Sequence, residues 1–182
     1  YLYDTVYNTT PYPVTLIVEN VNGCFDTITW NALVYPNPVV AFFADTACFG
    51  NPTNFLDQSY SNGGNLQDWT WDFGDGIGTS TQQNPNYTYG GPGFYVVDFT
   101  VTDQNQCTAD ISQSILVDSL PIPDFSFDIS CTQGIVNFTN LSNGNGSIIT
   151  GYLWDFDDLN LSGQTDPSHY FSPNGTYNVT LY

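Results

Sequence analysis

The chain repeats itself at a step of 83 residues, the separation of Cys24 from Cys107 and of Cys48 from Cys131. The same step carries Trp71-Asp72-Phe73-Gly74-Asp75 onto Trp154-Asp155-Phe156-Asp157-Asp158, and Pro38, Phe55 and Ser59 onto Pro121, Phe138 and Ser142. A constant period means one supersecondary unit used more than once. On this phase a complete unit occupies residues 37–119. Residues 1–36 are the C-terminal part of a preceding unit, and residues 120–182 are most of a following one. A unit of this size can close a small core of its own.

Charge narrows the classes of partner. The chain holds 18 acidic residues and no Lys or Arg. Nucleic-acid binding by phosphate neutralisation needs basic side chains and is excluded. Attraction to anionic membranes is excluded for the same reason. Hydrophobic residues are 41% and aromatic residues 16% of the chain, enough for packed cores, so the acidity belongs to a folded surface and not to a disordered tail. No apolar run of about 20 residues is present, so this segment is not expected to insert into a membrane.

Alternation gives the fold class. Tyr95, Val97, Phe99 and Val101 alternate with Val96, Asp98, Thr100 and Thr102; Tyr12, Val14, Leu16 and Val18 keep the same register, as do Tyr177, Val179 and Leu181. Trp69, Trp71 and Phe73 share one face against Asp68, Thr70 and Asp72 on the other, a pattern matched by Tyr152, Trp154 and Phe156. A period of two means strands with one buried face. Between them lie turn-forming stretches such as Ser61-Asn62-Gly63-Gly64-Asn65, Gly74-Asp75-Gly76 and Gly90-Gly91-Pro92-Gly93. About seven short strands per unit, with no helical periodicity, predict an all-β tandem of immunoglobulin-like sandwiches. Pro36, Pro38 and Pro121 at the joints predict an elongated, semi-rigid array.

The four cysteines suggest disulfides and an oxidising compartment. If each unit owns one bridge, Cys48 pairs with Cys107, while Cys24 pairs with a residue upstream of Tyr1 and Cys131 with one beyond Tyr182. Such a bridge would contribute roughly 4 kcal/mol through the entropy of the unfolded chain. A zinc site is the alternative, but close Cys-x-x-Cys pairs and a set of histidines are lacking.

Trp71-Asp72-Phe73-Gly74-Asp75-Gly76, then Asn84-Pro85 and Tyr89, then Gly93-Phe94-Tyr95-Val96-Val97, resembles the PKD (polycystic kidney disease) domain family. The second copy is similar through Trp154-Asp155-Phe156-Asp157-Asp158, Asp166-Pro167-Ser168-His169, Phe171 and Gly175-Thr176-Tyr177-Asn178-Val179. It departs with Asp157 and Leu159 where the family has glycines, and the complete unit departs with Tyr87 where the family has histidine. The resemblance implies a core signature of Trp71, Phe73, Tyr95, Trp154, Phe156 and Tyr177. Cysteine-bearing tandem units of this kind look like those of giant secreted surface proteins of Bacteroidota, of the gliding-associated, type IX secretion type. Asp4-Thr5-Val6, Asp26-Thr27-Ile28, Asp45-Thr46-Ala47 and Asp118-Ser119-Leu120 resemble the O-glycan acceptor sequence of that phylum, which makes Thr5, Thr27, Thr46 and Ser119 candidate glycosylation sites.

Candidate chemistry is sparse. One histidine and no lysine leave Ser-His-Asp and Ser-Lys arrangements without parts, so no catalytic residue and no enzyme is expected. Asp72 and Asp75, and Asp155, Asp157 and Asp158, cluster at equivalent strand ends. They could gather oxygen ligands around calcium, or accept backbone N–H groups within turns. Tyr1, Tyr3, Tyr7 and Tyr35 could stack on sugars or pack between units. The expected function is a structural, adhesive segment of a large extracellular bacterial protein, a disulfide-stapled stalk that transmits force. Its partners are neighbouring units, parallel copies and an unidentified surface or matrix ligand. The alternatives are an accessory carbohydrate- or protein-binding unit of a secreted hydrolase, and a self-assembling sheath or surface layer.

Overall fold

The structure is a computed structural model and describes residues 10–129 and 134–182. Among these the regular structure is all β, and no helix is long and apolar enough to cross a membrane. The chain divides into two units, Tyr1–Val117 and Asp118–Tyr182.

Unit 1 begins with an antiparallel hairpin of β1 (Thr10–Glu19) and β2 (Phe25–Val34). The Asn20 side-chain oxygen closes it by accepting the N–H groups of Asn22 and Cys24, and Gly23 takes the left-handed conformation the turn needs. Eight strands follow: β3 (Phe42–Ala44), β4 (Ala47–Cys48), β5 (Thr53–Asp57), β6 (Leu66–Asp72), β7 (Thr79–Ser80), β8 (Asn86–Tyr87), β9 (Gly93–Asp103) and β10 (Thr108–Asp118). They form a five-stranded sheet in the order β4-β10-β9-β6-β7 and a three-stranded sheet in the order β3-β5-β8. Phe42 and Phe55 from the second sheet meet Trp71, Val97 and Phe99 from the first in one cluster. Trp71 stacks on Phe99 at 3.7 Å between ring centroids, and its indole N–H donates to the Gln82 carbonyl at 2.9 Å. This satisfies the polar edge of an otherwise apolar side chain.

The β9–β10 hairpin ends in the same turn as β1–β2, with Asp103 in the place of Asn20. Its carboxylate accepts from Asn105 N, Cys107 N and the Ser61 hydroxyl. The registers also agree, Thr10↔Val34 standing for Gly93↔Val117. Burial is where the two hairpins part. Val97, Phe99 and Val101 are fully buried, as their alternation predicts, whereas Val14, Leu16 and Val18 are 49%, 60% and 56% exposed.

Unit 2 comprises β11 (Phe125–Ile129), β12 (Ile135–Asn140), β13 (Trp154–Asp155), β14 (Leu161–Ser162), β15 (Ser168–Tyr170) and β16 (Thr180–Leu181). The sheets β11-β12-β15 and β14-β13-β16 correspond to β3-β5-β8 and β7-β6-β9. Trp154 pairs with Leu181 as Trp71 pairs with Phe99, and its indole N–H donates to the Gln164 carbonyl at 2.8 Å. Phe138, Trp154, Phe156 and Leu181 form the core.

Of the expected core signature, Trp71, Phe73, Trp154 and Phe156 are buried. Tyr95 and Tyr177 are half-buried at the core edge, where their hydroxyls donate to the carbonyls of Gly91 and Pro173.

The cysteine expectation is corrected. Cys24, Cys48 and Cys107 are free thiols, so the Cys48–Cys107 bridge is not formed; Cys131 lies outside the described residues. In β4 the inward position belongs to Ala47, which turns the Cys48 side chain outward to solvent. Cys107 sits half-buried in the Asp103 turn. Its burial, and then the Asp103 charge, push the thiol above its ordinary value and keep it protonated.

Candidate functional site at the aspartate turn

β6 ends at Asp72, and the chain reverses within a few residues to enter β7. The Asp72 carboxylate accepts the Gly74 N–H at 2.9 Å. One oxygen of Asp75 accepts the N–H groups of Ile77 and Gly78 at 3.0 and 2.7 Å, and the other accepts the Tyr87 hydroxyl at 2.6 Å. A carboxylate is a pure acceptor, and a tight turn exposes just such unpaired N–H groups. The Tyr87 hydroxyl, and then the Gly78 N–H, hold the Asp75 carboxyl below its usual range. The same bond raises the Tyr87 phenol. At neutral pH the pair is therefore an ionised acceptor and a neutral donor.

Aromatic rings carry the turn. Tyr87 stacks on Phe73 at 4.2 Å, and Tyr89 donates to the Phe73 carbonyl at 3.1 Å. Burial, and then the Asp75 charge, raise the Tyr89 phenol. Gly74 has φ 78°, and a Cβ there would lie 2.0 Å from the Val96 carbonyl oxygen, so β9 crosses directly over the turn.

Unit 2 keeps the design with other parts. Asp155 accepts the Asp157 N–H at 3.0 Å, and Asp158 accepts the Asn160 N–H at 3.1 Å. His169 Nε2 lies 2.8 Å from the second Asp158 oxygen, and this contact holds that carboxyl below its usual range. The imidazole stacks on Phe156 at 4.1 Å. Asp157 accepts the Asn178 N–H at 3.0 Å.

The five aspartates singled out in the sequence thus turn their oxygens towards backbone and side-chain donors. Among the described residues, no group of three or more His, Cys, Asp or Glu side chains converges to hold a metal ion. Calcium asks for six to eight oxygen ligands around one point. The bonds described are those of side-chain-to-backbone turns.

Beside the turn of unit 1 lies a shallow recess lined by Asp75, Ile77, Tyr87, Phe94 and Tyr95 among others. Ile77 is 84% and Phe94 76% exposed. Phe94 and Val96 point outward from β9, and Leu116 of β10 lies opposite Phe94. The face presents apolar and aromatic surface around a single ionised carboxylate. It can hold a polymer chain by apolar contact, ring stacking and hydrogen bonds, but it offers no group poised to exchange a proton. Ile77 and Phe94 escaped the sequence reading. The available signal was the run Phe94-Tyr95-Val96-Val97, which is apolar in both phases of a strand and so leaves apolar side chains outside.

Of the candidate acceptor hydroxyls, Thr27 and Thr46 are exposed, and Ser119 is half-buried with its hydroxyl donating to the Asn145 carbonyl. Thr5, like Tyr1, Tyr3 and Tyr7, lies outside the described residues; Tyr35 is half-buried.

Comparison with known proteins places the repeat in company. The model of the PKD domain matches residues 35–117 and again 118–182. A microbial collagenase of Vibrio alginolyticus is 33% identical over 85 residues, which are 47% of this chain and 10% of that protein. Collagenase ColA of Bacillus cereus is 32% identical over 111 residues, 61% of this chain and 11% of that protein. The chain therefore spans about a tenth of the length of the curated relatives it matches. Among solved structures, the PKD1 domain of Vibrio anguillarum Epp is 28% identical, with a TM-score of 0.44 over 47% of this chain and 99% of that one. The PKD1 domain of the Vibrio cholerae metalloprotease PrtV is 33% identical, with a TM-score of 0.42 over 45% of this chain and 98% of that one.

Proposed function

Because the chain belongs to the PKD domain family, we propose that it is a non-catalytic accessory segment of a secreted bacterial hydrolase, holding a polymeric substrate for a domain that cuts it. The observation that carries this reading is the kinship with two collagenases, in which the matched part is about a tenth of the protein. The recess beside the aspartate turn supports it from the side of chemistry. Ile77 and Phe94 stand exposed around a carboxylate and phenol already committed to each other. Surface of this kind marks a contact site on a soluble domain, and aromatic anchors dominate such contacts. An extracellular location follows from the same kinship.

The stalk reading loses its staple, since Cys48 and Cys107 are free thiols. The relatives come from Vibrio and Bacillus, and their names speak for the accessory role over a gliding-associated or type IX secreted stalk.

The test is co-sedimentation of the 182-residue chain with insoluble fibrillar collagen, and in parallel with chitin and cellulose. Retention on collagen is expected, falling about tenfold in a Phe94→Ala, Ile77→Ser double variant. Retention on none of the three polymers, or retention unchanged in the variant, would refute the assignment to this face.

A further inference from the structure

In the five-stranded sheet of unit 1, β6, β9 and β10 lie side by side, and their outward face has two zones. One is apolar. Phe94, Val96 and Leu116 stand there, Val96 55% exposed, and Ile77 shares a recess with Phe94. The other is acidic: Asp68 and Asp72 of β6, Asp98 of β9 and Asp110 of β10 all point outward. Asp72 and Asp98 stand directly opposite each other across the two strands. Like charges so placed weaken a sheet, and in a chain without Lys or Arg their counter-charge has to come from another molecule.

The repeat shows that the fold requires neither zone. Ile77, Phe94 and Val96 answer to Asn160, Thr176 and Asn178 in unit 2, and Phe94 and Val96 to Pro11 and Pro13 in the β1–β2 hairpin. Asp98 answers to Thr180 and to Thr15, and Asp110 to Thr27. The inward positions between them hardly change: Tyr95 and Val97 answer to Tyr177 and Val179, and to Tyr12 and Val14. What sets unit 1 apart therefore lies on its outer face, where apolar surface marks a contact.

Charge selects the occupant. A second copy of this chain brings only more carboxylates, and nucleic acid and anionic lipid are repelled. A neutral polysaccharide could stack on the rings but leaves the carboxylates without a role. We propose that this face binds a polypeptide bearing basic side chains beside apolar ones, an inference that rests on the accessory role above and names the class of polymer held. Ammonium and guanidinium groups pair with Asp72, Asp98 and Asp110, while apolar groups of the partner cover Phe94 and Val96.

Surface plasmon resonance of the 182-residue chain on a collagen film, before and after the film's lysine amines are acetylated, tests the inference. Acetylation removes the positive charge and keeps the polypeptide. Binding is expected to weaken several-fold on the acetylated film, and about tenfold between about 0.1 and 1 M salt, as the screening length falls from ~10 to ~3 Å. The Asp98→Asn, Asp110→Asn double variant weakens binding about as much and flattens the salt dependence. An equal change of charge on unit 2, Asp124→Asn with Asp128→Asn, leaves binding as it was, which separates this face from the general acidity of the chain. Phe94→Thr with Val96→Asn, the residues unit 2 itself carries, also weakens binding, but on both films alike. Collagen binding indifferent to acetylation and salt, or lowered equally by the two aspartate pairs, overturns the inference and leaves the accessory role standing. So does retention on chitin or cellulose alone; retention on none of the three polymers overturns both.

Discussion

In unit 1 the left-handed positions of the aspartate turn are glycines, Gly74 at φ 78° and Gly76 at φ 80°; in unit 2 they are Asp157 at 62° and Leu159 at 70°. A left-handed conformation costs a residue with a Cβ roughly 1–2 kcal/mol. The surroundings differ to match. Over Gly74 the backbone of β9 presses so close that no Cβ fits, whereas Asp157 receives the Asn178 N–H on its own carboxylate. In both units the strand above meets the tryptophan strand at the same place, Asp72 pairing with Asp98 and Asp155 with Thr180. The ring on the turn follows the same logic. Tyr87 lies where a Cβ at Gly78 would sit 2.3 Å from its Cζ, and the smaller His169 faces a turn that carries Asn160 and closes one residue sooner, Trp154 pairing with Ser162 where Trp71 pairs with Ser80. The two turns show that a glycine, an aromatic ring and the crossing strand are chosen together.

The sharpest way to break this comparison is to move one part without the others. Gly74→Asp in unit 1 places a side chain into the Val96 backbone and is expected to destabilise that unit by about 3 kcal/mol or more. Hydrogen exchange of amides in β6 and β9 reads the loss, with those of β12 and β13 unchanged. A loss under about 1 kcal/mol would mean that β9 yields to the new side chain.

Leu159→Gly, the converse change, relieves a left-handed leucine that is fully exposed and so gives up no packing. Unit 2 is expected to gain about 0.5–1 kcal/mol, read as a shift in its denaturation midpoint.

Alkali separates the units next. Tyr87 and Tyr89 are held above the ordinary value of 10.0, the first by donating to Asp75 and the second by burial. A raised folded value means stability that is whole below pH 10 and fades as pH climbs through the folded values. Unit 2 carries His169 and Phe171 in these places, so thermal melts between about pH 9 and 12 should show unit 1 falling faster. Solvent around Tyr87 keeps the effect modest. Acid treats the units alike. Asp75 and Asp158 both sit below 3.8, so what each contributes is present above that pH and is lost as pH drops further.

The smallest effect is expected from Cys48→Ser. The side chain points outward from β4 and is bonded to no other sulfur, so the melting of unit 1 should change by less than about 0.5 kcal/mol, with or without reductant. A larger loss confined to oxidising conditions would reinstate the bridge to Cys107.

How far the sequence was legible can be seen along β6 and β9. The alternation of Trp69, Trp71 and Phe73 with Asp68, Thr70 and Asp72 names the buried face because a pleated strand has no other way to arrange it. The repeat carried that reading to Trp154 and Phe156 at once. The same alternation at Val14, Leu16 and Val18 was read correctly as a strand, Thr10–Glu19. Cysteine spacing misled at Cys48, because pairing depends on which way β4 turns its two residues. The Asp75–Tyr87 bond joins positions that sequence places 12 residues apart and only the packing of Tyr87 on Phe73 brings together. Ile77 and Phe94 were hidden in plain sight, as apolar residues are first assigned to a core.

Each unit also holds one tryptophan whose indole N–H is tied to a main-chain carbonyl, Trp71 to Gln82 and Trp154 to Gln164, with both rings wholly shielded from solvent. An indole dry and fixed in this way fluoresces at shorter wavelength than one in water, such as the largely exposed Trp30. Every unit therefore contains its own optical gauge, and a red shift in its emission reports that unit's opening without any added dye.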